Sequence, residues 1–180
     1  MTATKTTTGY DVLRAAVPQE AVDRTLRLLH RDVATNGLPQ EWLAEWLWNA
    51  HWFPHLRWDD DVVALLDHLP SALRSGELCD PQIVVQLPDE ADDVELVPHV
   101  DREPEWANGR PYRRIVGVAL TRNGAENGGL AVWPLDGAPV ERVELEAGDV
   151  LVMNPLLPHA SGLNRTGLPR HAVYFRFLEP

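Results

Sequence analysis

Two hydrophobic rhythms divide the chain. Between residues 10 and 76, apolar positions recur three and four apart, the spacing of a helix face. Val22, Leu26, Leu29 and Val33 mark a first helix that opens behind Pro18 and stops at Asn36-Gly37. Pro39 opens a predicted second helix, with Trp42, Leu43, Trp46, Leu47 and Ala50 as its apolar stripe and Pro54 as its end. Asp59, Asp60 and Asp61 stand where a third helix would begin, and negative charge is favoured at a helix N-terminus. Val62, Val63, Leu66 and Leu69 form its buried face before Pro70 closes it.

From Pro81 the rhythm shortens. The runs IVVQL (83–87), RIVGVAL (114–120), LAVW (130–133), VELE (143–146), VLVM (150–153) and AVYFRF (172–177) alternate with the turn clusters PDEADD, NGAENGG, LDGAP, EAGD and SGLNRTGLP. Strands so closely spaced predict an antiparallel sandwich or barrel, not βαβ units. The expected architecture is mainly β with N-terminal helices packed outside the sheet. It is read as a single domain over 1–180, with 1–9 a flexible tail, 10–80 mainly helical and 81–180 the β core.

Composition narrows the chemistry. The 180 residues carry 16 basic and 27 acidic side chains, a formal charge of −11. Such a chain is a poor general partner for polyanions, so neither nucleic acid nor an anionic membrane is expected. The single cysteine, Cys79, excludes an intrachain disulfide, a CxxC zinc site and an iron–sulfur cluster, and a reducing cytoplasm is the expected location. The only lysine, Lys5, lies in the polar opening, which disfavours Schiff-base and P-loop chemistry. No apolar run approaches the length of a membrane span, and no secretory signal is visible.

Of the histidines, His30 and His68 fall in polar helix turns. His51 and His55 have the i, i+4 spacing of helix ligands, but Pro54 disfavours a helix at Phe53, and a packed helix end is the simpler expectation. His99 and Asp101 differ: they form an H-x-D at the end of the strand-like VELVPHVD, where i and i+2 project to one face. His159 follows the strand and exit GDVLVMNPLLP. Two histidines and one carboxylate form the facial triad of non-haem Fe(II) oxygenases, leaving positions for a bidentate co-substrate and O₂. Arg170 offers a planar fork for a carboxylate, and Ser161 a short hydroxyl for the same anion. Arg170, Ala172, Tyr174 and Arg176 should share one strand face, with Phe175 and Phe177 on the other.

The stretch GDVLVMNPLLPHASGLNRTGLPR, Gly148 to Arg170, resembles the C-terminal signature of the phytanoyl-CoA dioxygenase family. The pattern is a G-D strand, a histidine, a serine two on, an asparagine and an arginine about eleven on; His159, Ser161, Asn164 and Arg170 meet it. PHVD (98–101) and ENGGLAVWP (126–134) resemble further family segments, so the likeness spans roughly residues 81–178. It implies a double-stranded β-helix (jelly-roll) core and an Fe(II)/2-oxoglutarate-dependent dioxygenase that hydroxylates an unactivated C–H bond with O₂. His99, Asp101 and His159 would bind iron. Arg170 and Ser161 would hold the distal carboxylate of 2-oxoglutarate, with Gln86 near it. The S-G-x-N element favours this family over the prolyl-4-hydroxylase-like oxygenases.

The chain departs from the family at Leu135-Asp136-Gly137, where a G-S-H type turn is usual. Its acidic charge argues against carrying over an acyl-CoA substrate. A small molecule is expected instead, an amino acid or natural-product intermediate. Trp48 and Trp52 are candidates for the substrate wall, and Arg113, beside Arg110 and Arg114, for a contact to an acidic substrate group. The rival readings are a jelly-roll metal enzyme that does not use 2-oxoglutarate, and a non-catalytic ligand-binding relative.

Overall fold

A computed structural model describes residues 8–39, 49–79, 81–90, 96–101 and 109–179. Helix α1 spans Gln19–Asn36, with Pro18 as its extended N-cap. Gly37 ends it at φ +77°, its N–H donating to the Val33 carbonyl at 2.9 Å, as the Asn-Gly signal requires. Ala21, Val22, Thr25, Leu28 and Leu29 form the buried stripe. Thr25, fully buried, donates to the Asp61 carbonyl at 2.9 Å and so fastens α1 to the next helix. That helix, α2 (Asp60–Val63), is capped by Asp59, whose carboxylate accepts from the Asp61 N–H. It tightens into a 3₁₀ turn over Ala64–His68.

The predicted second helix falls largely on residues outside the described set, including Trp42 and Trp46. Its expected end is corrected: Ala50–Trp52 is a strand, β2. Asn49, at φ +46°, turns the chain there. The backbone of β2 then pairs with β4 (Gln82–Gln86), where an open sheet edge offers unpaired groups that the local helical pattern does not register. Two further strands in the N-terminal stretch were not expected, β1 (Tyr10–Leu13) and β3 (Glu77–Leu78).

The other strands follow the sequence closely: β5 (Tyr112–Ala119), β6 (Leu130–Val132), β8 (Val150–Met153) and β10 (Arg170–Leu178). The predicted VELE strand is displaced. Pairing occurs at Glu141–Arg142 (β7) and through a single Leu145–Asn123 bridge, while Val143 and Leu145 turn into the core. A short strand that was not expected, β9 (His159–Ser161), follows the stretch read as a strand exit.

The ladders are antiparallel and form two sheets. The large one runs β1-β8-β5-β10-β4-β2, with β3 beside the end of β10; the small one runs β7-β6-β9. The fold is a jelly-roll with its helices on the outer face of the large sheet. Period-2 alternation sorts the side chains. Val116, Val118, Val173, Phe175 and Phe177 meet Val22, Leu29, Leu65 and Phe53 on the helix side. Ile115, Leu151 and Met153 meet Leu130, Val132 and Leu157 between the sheets.

The G-D of the signature is structural. Asp149 accepts from the Ala15 and Glu146 N–H groups and from the Arg14 guanidinium, tying the entrance of β8 to the end of β1. Gly148 has φ +86°, and a Cβ there would lie 2.5 Å from the Val17 carbonyl. Among the described residues, no helix is long and apolar enough to cross a membrane.

Candidate active site

The inter-sheet layer opens at one end into a cavity of about 760 Å³. His99, Asp101, His159, Ser161 and Arg170 all line it, together with Gln82, Tyr112, Met153, Tyr174 and Arg176. Ligand atoms of His99, Asp101 and His159 lie within 4.8 Å of one another.

Backbone pairing sets that cluster. His99 and His159 exchange reciprocal N–H to carbonyl bonds of 3.0 and 2.9 Å, an isolated antiparallel bridge. The Asp101 N–H donates to the Pro155 carbonyl at 3.0 Å. The H-x-D segment is therefore zipped onto β9 and the loop before it, rather than being a strand in its own right. The two imidazole rings lie 4.4 Å apart, centre to centre.

The protonation states suit a cation. His159 Nδ1 lies 2.9 Å from the Leu157 carbonyl, which can only accept, so Nδ1 carries a proton and Nε2 is the nitrogen available to a metal. That Nε2 is 3.8 Å from Asp101 Oδ1. Burial, reinforced by His159, pushes His99 down to about 4, so it is neutral near pH 7. Burial alone would raise the Asp101 carboxyl. The charge of Arg176, the neighbouring His159 and the Arg176 hydrogen bond outweigh it and hold the group below its ordinary value. One carboxylate and two imidazole nitrogens so placed fit a divalent transition metal such as iron with coordination positions left open.

Among the described residues Arg170 has the largest fully buried side chain, only 1% exposed. Gln86 Oε1 accepts from its Nε at 3.0 Å and its Nη2 at 2.7 Å, and Asn123 Oδ1 accepts from Nη1 at 2.8 Å. These partners are neutral amides; among the described residues no carboxylate pairs with this guanidinium. Three of the five N–H donors are thereby used, which leaves two for whatever enters the cavity.

Gln86 is completely buried and is held in turn, its Nε2 donating to the Gly162 carbonyl at 2.7 Å. Asn164 Nδ2 donates to the carbonyls of Gln86 and Leu168, so the signature asparagine builds the turn before β10. The glycine of the N-G-x-L segment also acquires a reason. Gly128 has φ +80°, and a Cβ there would lie 2.3 Å from Gln86 Oε1.

The expected residues do not all converge. Gln86 backs Arg170 and is not part of the cavity lining. Trp52 lies on β2 and is not part of the lining either. Arg113 is exposed on β5, outside the lining, while Arg110 pairs with Glu77 and Arg114 donates to the Ala72 carbonyl. Trp48 lies outside the described residues. His51 and His55 diverge: His51 Nδ1 contacts the Pro39 carbonyl, and His55 pairs with Asp32 at 2.9 Å.

Tyr112, Tyr174 and Arg176 are cavity residues for which no role was read from sequence. Alternation along β10 was the available signal for Tyr174 and Arg176. Gly117, paired with Tyr174, makes room for its ring, since a Cβ there would lie 2.9 Å from it.

Comparison with known proteins follows this geometry. The phytanoyl-CoA dioxygenase family profile matches residues 135–172, the segment that carries His159, Ser161 and Arg170. The resemblance read from the motifs is thus found independently. A search of curated proteins returns no match. Among solved structures, the non-haem α-ketoglutarate-dependent carbocyclase SnoK from nogalamycin biosynthesis is 18% identical, with a TM-score of 0.72 over 96% of this chain and 80% of its own. AviO1 from Streptomyces viridochromogenes Tue57 is 20% identical, with a TM-score of 0.71 over 98% of this chain and 92% of its own. HygX from Streptomyces hygroscopicus, solved with nickel and 2-oxoglutarate bound, is 16% identical, with a TM-score of 0.69 over 96% and 83%. The shared property at these identities is the fold.

Proposed function

We propose that this chain is an Fe(II)- and 2-oxoglutarate-dependent dioxygenase that hydroxylates an unactivated C–H bond of a small molecule, an amino acid or natural-product intermediate. The observation that carries the reading is the buried Arg170 guanidinium, faced by amides and lining the same cavity as the His99–Asp101–His159 cluster. A buried cation with no counter-charge is costly, and the cavity beside it is the place for an anion. A jelly-roll metal enzyme without an anionic co-substrate has no use for this arrangement, which is why the 2-oxoglutarate reading is preferred.

His99, Asp101 and His159 would hold the iron, which with 2-oxoglutarate and O₂ supplies the oxidising power, yielding succinate, CO₂ and the alcohol. Arg170 receives the distal carboxylate as a planar fork, and the Ser161 hydroxyl lies on the same lining to share it. Gln86 and Asn123 fix the plane of that fork before the ligand arrives. Ile115, Leu130, Met153 and Tyr174 give the cavity apolar walls that exclude water from the reacting carbon. The volume exceeds what 2-oxoglutarate needs, and the remaining space accommodates a substrate of modest size. The structural likenesses to SnoK and HygX support the natural-product side of the reading.

The test is turnover of 2-oxoglutarate with Fe(II), O₂ and panels of amino acids and natural-product intermediates, read as succinate and as substrate mass increased by one oxygen. His159→Ala should abolish succinate formation. Lack of succinate from the unmodified protein across the panels, together with no 2-oxoglutarate binding to the metal-loaded protein, would refute the assignment.

A further inference from the structure

Arg176 lies six residues beyond Arg170 on the cavity face of β10. Its Nε donates to one oxygen of Asp101, Oδ2, at 2.9 Å, and its Nη2 makes an ion-pair contact of 2.8 Å with the same oxygen. The other oxygen, Oδ1, is the one 3.8 Å from His159 Nε2. The pair is nearly buried, with side-chain exposures of 11% and 12%, and the guanidinium lies over the Tyr112 ring, 6.0 Å from its centre. The carboxylate is thus held from two directions: the Asp101 N–H is tied to the Pro155 carbonyl, and the outer oxygen is tied to Arg176.

We infer that Arg176 is a positioning residue for the metal centre: it occupies Oδ2 of Asp101, so that Asp101 presents Oδ1 alone to the ion. This rests on the metal-site reading above and adds to it. A free carboxylate can turn about its last bond and chelate with both oxygens, using a position that co-substrate or O₂ needs. The charge-assisted hydrogen bond from Nε and the ion-pair contact from Nη2, both to one oxygen, oppose that rotation, and burial strengthens them. A bland surface ion pair would be solvent-exposed and distant from the ligand atoms; this one shares its carboxylate with the cluster. Loss of such an outer partner typically weakens metal binding 10–100-fold.

The experiment is metal affinity without turnover. Co(II) is titrated into the metal-stripped full chain, under argon and without 2-oxoglutarate, in competition with a chromophoric chelator. Arg176→Ala is expected to bind Co(II) about 10–100-fold more weakly than the unmodified protein. Arg176→Lys should recover part of the loss, since an ammonium reaches Oδ2 but lacks the two-pronged grip. Far-UV circular dichroism establishes that the variants are folded; if Arg176→Ala is not, Arg176→Gln takes its place with the same expectation. A loss smaller than tenfold, or tighter binding, in the folded variant overturns the inference. So does a variant with unaltered Co(II) affinity that makes succinate without oxidising substrate, because Arg176 would then belong to substrate recognition. Failure of the unmodified protein to bind Co(II) would instead refute the metal site itself, and the role of Arg176 with it.

Discussion

Strand β10 carries two chemistries on one backbone. Its helix-side residues, Val173, Phe175 and Phe177, are buried among the apolar side chains of α1 and the following turns. Its cavity-side residues, Arg170, Tyr174 and Arg176, line the pocket, and two of the three are cations. The first face contributes stability through apolar burial, each phenylalanine adding about 1.5–3 kcal/mol relative to exposure. The second face spends folding energy, because the Arg170 guanidinium, which has only amide partners among the described residues, is placed out of water. The difference shows that a strand of period 2 can keep stabilising burial and the lining of a cavity apart, provided the two faces are not exchanged by a slip in register.

The largest expected effect is on the apolar face. Phe175→Ala should destabilise the protein by about 3–5 kcal/mol, measured by urea unfolding, because no solvent reaches the void it leaves. The folded fraction should still bind 2-oxoglutarate with its original affinity. A comparable loss of affinity would mean that the two faces are coupled.

The reverse result is expected for Arg170→Ala. Anaerobic titration of the Fe(II) protein, followed by its visible charge-transfer band, should show 2-oxoglutarate binding weaker by on the order of 100-fold, about 2.7 kcal/mol. Stability should fall by less than in Phe175→Ala, because removing a costly buried cation partly offsets the loss of the donors to Gln86 Oε1 and Asn123 Oδ1. Arg170→Lys should restore part of the affinity. Unchanged binding in the alanine variant would remove Arg170 from the site.

Gln86→Leu sharpens the comparison. It keeps the bulk of a buried residue but removes the oxygen that receives two Arg170 donors. Binding of 2-oxoglutarate should weaken roughly tenfold, about 1.4 kcal/mol, less than when the arginine itself is lost. A loss as great as that of Arg170→Ala would show that Gln86 touches the ligand.

A further test is a titration on the helix side. His171, whose ring meets His30 edge-on at 5.6 Å, is pushed down to about 4 by burial and then by His30. Its ordinary value is 6.5, so between pH 6.5 and 4 the unfolded chain takes up a proton that the folded chain refuses. Stability should therefore fall as pH drops through that window, and His171→Gln should flatten part of the fall. The remainder would belong to His99, depressed to a similar value on the cavity side. Melting temperatures at pH 7 and pH 5 for the two proteins check this; identical acid losses would dissociate His171 from the effect.

The convergence of His99, Asp101 and His159 was legible because each lies in a short motif. H-x-D places two ligands within three residues, and the third lies in a signature whose serine and arginine reach the same cavity. The Arg170–Gln86 clamp was legible only as proximity, since Gln86 was expected near the co-substrate and instead backs the arginine. Arg176 could be assigned to the cavity face but not to Asp101, a partner 75 positions away. Trp52 was expected at the pocket from its place near a helix end, and Arg113 from the loop it flanks after the H-x-D, but neither lines the cavity. The expected helix through Ala50 failed for the same physical reason: its apolar spacing is local, whereas the edge of β4 that draws Ala50–Trp52 into a strand is formed by residues more than thirty positions away.

By itself the amino-acid sequence determined the two textures, the stop of α1 at Gly37, the core strands β4, β5, β6, β8 and β10, and the triad with its arginine. Each depends on periodicity, a backbone preference or a short motif, interactions that act between near neighbours. Tertiary structure alone decided the edge pairings of β1 and β2, the amide clamp on Arg170 and the capture of Asp101 by Arg176. Those are contacts between residues far apart in the chain. Their energies exist only after the two sheets have closed and water has left the space between them, where one misplaced charge or unpaired amide outweighs any local propensity.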